Sequence, residues 1–145
     1  MIDNREGHPY QFSEIWKAKE KKWSIPWKFE KLKTGDYTID GKSDLITLER
    51  KSISDLFGTL SSGERRDRFR EEHERMLHFH FAAVVIEASF DDIIKYESGL
   101  NPRSVIGTME SWMLKYSVHW ILAGNRSNAE MIVFNILRKY NDGIT

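Results

Sequence analysis

A chain of 145 residues, 40% hydrophobic and 12% aromatic, is long enough to bury one core, and predicts a single domain over residues 1–145. No apolar run nears the roughly 18 residues of a membrane span, no basic-then-apolar leader opens the chain, and zero cysteines exclude disulfides and cysteine-ligated zinc or iron–sulfur centres, which together predict a cytoplasmic protein with no membrane partner. A net charge of zero argues against a non-specific nucleic-acid coat, yet leaves room for a DNA enzyme with local basic patches.

Residues 1–4 read as a short strand ending at Asp3, broken by Gly7-His8-Pro9. Residues 10–29 interleave lysines with Tyr10, Phe12, Trp16, Trp23 and Trp27, and Ser13 can cap a helix through Trp23. Such a segment can bind DNA by phosphate contact and stacking, with Lys22 and Lys28 as candidates. Equally, the tryptophans can cover a sheet while the lysines are solvated. Pro26 ends this segment, and Trp27–Leu32 reads as a strand leading into Gly35.

Residues 35–51 read as a hairpin turning at Asp40-Gly41. Pairing Ile39 with Ile46 puts Asp36 opposite Glu49 and Tyr37 opposite Leu48. One face then carries Asp36, Thr38, Thr47, Glu49 and Lys51. Two carboxylates there form an oxygen-rich site suited to Mg²⁺ or Mn²⁺, and Lys51 can orient water or neutralise phosphate charge. A solvated strand face with a cross-strand ion pair is the plainer alternative.

Ser54 or Ser52 caps a helix through about Leu60, with Asp55 in its first turn favourable to the helix dipole. Ser61-Ser62-Gly63 is a turn. Residues 64–78 form a charged helix whose Glu64–Arg68, Arg70–Glu74 and Glu71–Arg75 pairs are spaced four apart, with Phe69, Met76 and Leu77 toward the core. His78 and His80 alternate with Phe79 and Phe81, a pattern that favours packing over metal binding. Residues 81–87 read as a buried parallel strand, and Asp91–Tyr96 as a short helix. Asn101-Pro102 starts a helix carrying Val105, Met109, Trp112 and Tyr116. Val118–Leu122 is the last strand, and Ser127 with Glu130 forms a capping box opening the last helix. The apolar positions of that helix exceed one narrow stripe. The alternation of strands and helices, after three strands of antiparallel type, predicts an α/β sandwich with a central mixed sheet flanked by helices.

Gly35-Asp36 followed by Glu49-Arg50-Lys51-Ser52-Ile53-Ser54-Asp55-Leu56 resembles the signature of the XPF/Hef DNA endonucleases, within the wider PD-(D/E)xK nucleases. Ile2-Asp3-Asn4-Arg5-Glu6 resembles the opening strand of the same family. The resemblance implies a restriction-endonuclease-like fold and a metal-dependent endonuclease acting on DNA, with Mg²⁺ as cofactor and Mn²⁺ able to substitute. It makes Asp36 and Glu49 metal ligands with the Arg50 backbone carbonyl, Asp3 and Glu6 further acids at the site edge, and Lys51 the residue that handles water. Arg50 contacts phosphate or braces the site, and Arg65, Arg66 and Arg68 face the DNA. It implies a preference for branched or flap DNA in repair or recombination. It also implies a homodimer through helices 102–116 and 127–140, although packing of both helix faces on the sheet accounts for them equally. The chain ends before any helix-hairpin-helix module, which leaves DNA geometry to the nuclease surface, a second copy or an accessory DNA-binding protein. A stand-alone prokaryotic or phage form fits this size. The rival reading is a scaffold of nuclease-like fold without catalysis.

Overall fold

The computed structural model describes residues 2–3, 29–30 and 35–143. The elements run β1 (Ile2–Asp3), β2 (Phe29–Glu30), β3 (Ile46–Lys51), α1 (Ile53–Ser61), α2 (Gly63–Met76), β4 (Phe81–Ile86), α3 (Phe90–Lys95), α4 (Pro102–Tyr116), β5 (His119–Leu122) and α5 (Arg126–Asn141). β3, β4 and β5 form a parallel sheet with β4 in the centre, and β1 pairs with β2, also in parallel. The three strands of antiparallel type expected at the start are thus corrected. The antiparallel part among the described residues is a single bridge, Tyr37 to Leu48.

The chain folds as an α/β sandwich because β4 is apolar on both faces. Ala82, Val84 and Ile86 join a cluster with Leu56, Phe57, Phe69, Met109 and Trp112 from α1, α2 and α4. Ala83 and Val85 join Tyr37, Leu48, Val133 and Phe134 on the other face, beneath α5. Successive side chains of a strand point to opposite faces, so one six-residue run serves both cores.

Helix starts follow the expected chemistry with one exception. Of Ser52 and Ser54, the two caps the sequence offers, Ser52 caps α1, and Asn101 caps α4 ahead of Pro102 as the sequence predicts. Ser62, placed in a turn by the sequence, caps α2. The expected capping box of Ser127 and Glu130 is not used. Asn125 caps α5 instead, its side chain accepting from Asn128 N at 2.8 Å. Leu77, expected toward the core, is 46% exposed because α2 stops at Met76. His80 pairs with Tyr140 Oη at 2.6 Å, and Phe81 stacks on His119. No helix among the described residues is long and apolar enough to cross a membrane.

His73 ties α2 to the sheet. It is fully buried among Phe69, Trp112, Tyr116 and Trp120. An indole can only donate, so Trp120 Nε1 donates to His73 Nε2 at 3.0 Å, and Nδ1 then carries the proton donated to Phe69 O at 2.9 Å. That arrangement requires the neutral ring, and burial lowers the pKa of His73 below its ordinary 6.5. The unfolded chain therefore binds the extra proton first, and stability should fall as pH drops below about 6.5. Melting temperature against pH checks this, with the decline weakened in His73→Leu. His73→Ala should cost about 2–4 kcal/mol, from the cavity and the orphaned indole.

Candidate functional site

β3 divides its side chains between the two faces of the sheet. Glu49 and Lys51 share the face covered by α1 and α2, whereas Arg50 points to the α5 side by strand alternation. The contacts agree. Arg50 Nε and Nη2 reach Glu87 Oε2 and Oε1 at 3.0 and 3.3 Å, and Arg126 adds a contact to Glu87 at 3.6 Å. Arg50 therefore braces the C-terminal ends of β3 and β4.

Asp36 reaches Glu49 because of Gly35. Gly35 has φ +77°, and a Cβ there would collide with Thr47 Oγ1. Only glycine lets the chain press this closely on β3. Asp36 N and Tyr37 N both donate to Leu48 O, at 2.9 and 3.0 Å, and Asp36 Oδ2 accepts from Arg50 N at 2.9 Å. The register is the one expected from sequence, but the hairpin is looser. Lys42 N bonds to Ile39 O around Asp40-Gly41, and a second turn over residues 42–46 follows. Thr38 Oγ1 donates to Ile46 O.

Glu49 is 8% exposed. Burial, then the charges of Asp36 and Glu72, push its carboxyl well above the usual range. Asp36 and Glu72 are thus the two acids whose proximity disfavours the Glu49 carboxylate. Glu72, on α2, also accepts from Gly35 N at 3.4 Å. The three acids meet pairwise at Glu49. Among the described residues no three of His, Asp or Glu are posed as a ready metal cage. Asp36 and Glu49 thus bring two hard oxygen donors together, and their mutual repulsion disfavours the Glu49 carboxylate.

These acids border an open cavity of about 460 Å³. Gly35, Arg50, Lys51, Asp55, Thr59, Arg65, Arg68, Phe69, Glu72 and Arg75 complete the wall. Lys51 Nζ lies 3.4 Å from Thr59 Oγ1 and 4.8 Å from the Phe69 ring centre. Arg65 and Arg68 face the cavity. Arg66 leaves it and lies 5.2 Å from the Trp112 ring. Of Asp3 the structure describes the backbone, on β1. Glu6, Lys22 and Lys28 lie outside the described residues. The sequence reading missed Glu72, Thr59 and Glu87. A signal existed for Glu72: it stands three, four and seven residues after Phe69, Arg68 and Arg65, on one stripe of α2.

The family model of the ERCC4 domain matches residues 2–135. Two solved structures of XPF from Aeropyrum pernix are similar to the chain. One has a TM-score of 0.73 at 20% identity, over 98% of this chain and 64% of that one. The other, a complex with DNA, has a TM-score of 0.67 at 19% identity, over 97% of this chain and 64% of that one. At such identity the likeness speaks for the fold, and the chain spans just under two thirds of the archaeal protein's length. Among curated proteins none matches.

The environment of Glu49 has a stability consequence. Its native pKa is raised, so without a cation the native state holds more protons than the unfolded state above the ordinary value of 4.5. Stability is then lost as pH rises through that window. Glu49→Gln, which cannot ionise, should melt at a higher temperature than wild type in EDTA near neutral pH. That gap should close as pH falls toward about 4.5. A gap independent of pH would show that Glu49 is not held in this way.

Proposed function

The chain belongs to the ERCC4 domain family, and from that premise we propose that it is a divalent-metal-dependent endonuclease that hydrolyses phosphodiester bonds in DNA. The observation that carries this reading is the meeting of Asp36, Glu49 and Lys51 at one polar cavity beneath an arginine-bearing helix. Substrates are branched or flap DNA, met in repair or recombination. The DNA held by the similar archaeal structure supports DNA as the partner.

Asp36 and Glu49, with the Arg50 main-chain carbonyl, would hold Mg²⁺ or Mn²⁺, since all three offer hard oxygen donors. When bound, that cation polarises a phosphoryl oxygen and lowers the pKa of water. Lys51 orients the water and offsets negative charge that builds on the phosphate. Arg65 and Arg68, on the cavity wall, bind neighbouring phosphates. The Arg50 guanidinium, occupied by Glu87, keeps β3 in place and with it the spacing of Glu49 and Lys51. A second copy joined through α4 and α5, or an accessory DNA-binding protein, would extend the grip on the duplex.

The test is cleavage of end-labelled duplex, single strand, splayed arms, 3′ flap and nicked junction, with Mg²⁺, Mn²⁺ or EDTA. Asp36→Asn and Glu49→Gln should each lower cleavage by about 10²–10³-fold or more while leaving the fold intact. Full activity in both would sink the assignment. Retained DNA binding with no cleavage by wild type would favour the scaffold reading. Lys51→Ala should lower kcat by about 10²-fold with little loss of affinity. In binding measured against salt, Arg65→Ala and Arg68→Ala should each reduce the slope of log affinity by about 1, and Arg66→Ala should leave it unchanged. Three equal slopes would remove the distinction between the two sides of α2.

A further inference from the structure

Thr59 has no role in the chemistry described so far, yet its hydroxyl stands between two of the cations. It is 3% exposed, on the buried side of α1. Lys51 Nζ donates to Thr59 Oγ1 at 3.4 Å, and Arg65 Nη2 donates to the same oxygen at 3.2 Å. A hydroxyl has two lone pairs, so it can accept from both at once. We propose that Thr59 is a positioning residue: its hydroxyl, with Phe69 and Gly58, brackets Lys51 and Arg65 into a fixed pair that meets one phosphate group of the substrate.

Three further contacts define the bracket. The Phe69 ring supports the Lys51 ammonium at 4.8 Å from its centre. The Arg65 guanidinium lies across Gly58, where a Cβ would stand 3.2 Å from Nη1. Glycine at 58 thus leaves Arg65 room to reach the hydroxyl. The two helices form one unit here, since Thr59 and Gly58 come from α1, while Arg65 and Phe69 come from α2.

The physical gain is preorganisation. Lysine and arginine side chains are rich in rotamers and lose that freedom when fixed. A bracket that orders them before substrate arrives removes that cost from the binding and chemical steps. It also sets two like charges side by side. Their repulsion is offset by the acids across the cavity in the free protein, and by phosphate when substrate is bound. A serine can do the same with its hydroxyl, and a valine of equal size cannot.

The catalytic consequence rests on the nuclease reading, whereas the bracket itself can be tested without it. Full-length wild type, Thr59→Val and Thr59→Ser are compared, with melting curves to confirm folding. In proton–nitrogen spectra of the lysine ammonium groups, the Lys51 signal is assigned by its loss in Lys51→Arg. That signal should shift or broaden in Thr59→Val and stay near its wild-type position in Thr59→Ser. In cleavage of the best DNA substrate, Thr59→Val should lower kcat by about 10-fold with a smaller change in KM, and Thr59→Ser should recover most of it. An unmoved Lys51 signal in Thr59→Val overturns the proposal, as does a folded Thr59→Ser that fails to restore the signal. If wild type cuts no DNA with either metal, the nuclease reading falls and the Lys51 signal alone decides the bracket. Should Thr59→Val not fold, Thr59→Ala provides the hydroxyl-free variant in the same comparison.

Discussion

The close approach of Gly35 to β3 is the constraint on which the rest of the site depends. A left-handed backbone conformation and the absence of Cβ allow the chain to lie against Thr47. Two main-chain hydrogen bonds onto Leu48 O then fix Asp36 and Tyr37. Tyr37 drops into the core beneath α5, and Asp36 turns its carboxylate onto Arg50 N. Any side chain at 35 would push Asp36 away from Glu49. The Gly-Asp pair is thus one device: the first residue gives contact, and the second supplies charge.

The second determinant is strand parity. Glu49, Arg50 and Lys51 are consecutive, so they cannot all face one pocket. Glu49 and Lys51 share the helix-covered face, and Arg50 serves the opposite one, where Glu87 and Arg126 hold it. The strand pairing beneath explains why this split is rigid. All six residues of β3 pair in register with β4, and β4 is buried from Ala82 to Ile86. A one-residue slip would exchange the two sets and place a guanidinium in the core.

Much of this was legible from local signals. The Tyr37–Leu48 register followed from a hairpin with alternating side chains, and Asn101-Pro102 and a serine at 52 or 54 marked helix starts by hydrogen-bonding chemistry that acts over three residues. The long apolar run at 81–87 announced the central strand. What escaped lies in contacts between elements distant in sequence. Glu87 meets Arg50 across 37 positions, and Gly35 meets Glu72 across the same separation. The charged helix showed its i,i+4 pairs, of which Glu64–Arg68 and Arg70–Glu74 form. Its pitch alone could not say which side faced the strand. Thus Arg66 was grouped with Arg65 and Arg68, although one residue turns the helix by about 100° and sends Arg66 to Trp112. The capping box at Ser127 failed for another reason. Asn125 stands two residues earlier and is an equally strong cap, so the helix begins there.

Charge of both signs lines the cavity. The strand side contributes Asp36, Glu49 and Lys51, α1 contributes Asp55, and α2 contributes Arg65, Arg68 and Arg75 together with Glu72. The placement of Glu72 is costly, because it adds a third acid where burial already disfavours the carboxylate of Glu49. Such a concentration of like charge is stabilised by any cation entering from solvent, and by the flanking guanidiniums only in part. It follows that the environment of Glu49 favours its protonated form. A chain of zero net charge can therefore present a densely charged cavity, in which acids and bases from strand and helices face one another across one pocket. The overall charge of this protein says little about its partner, and the placement of charges around the cavity carries that information instead.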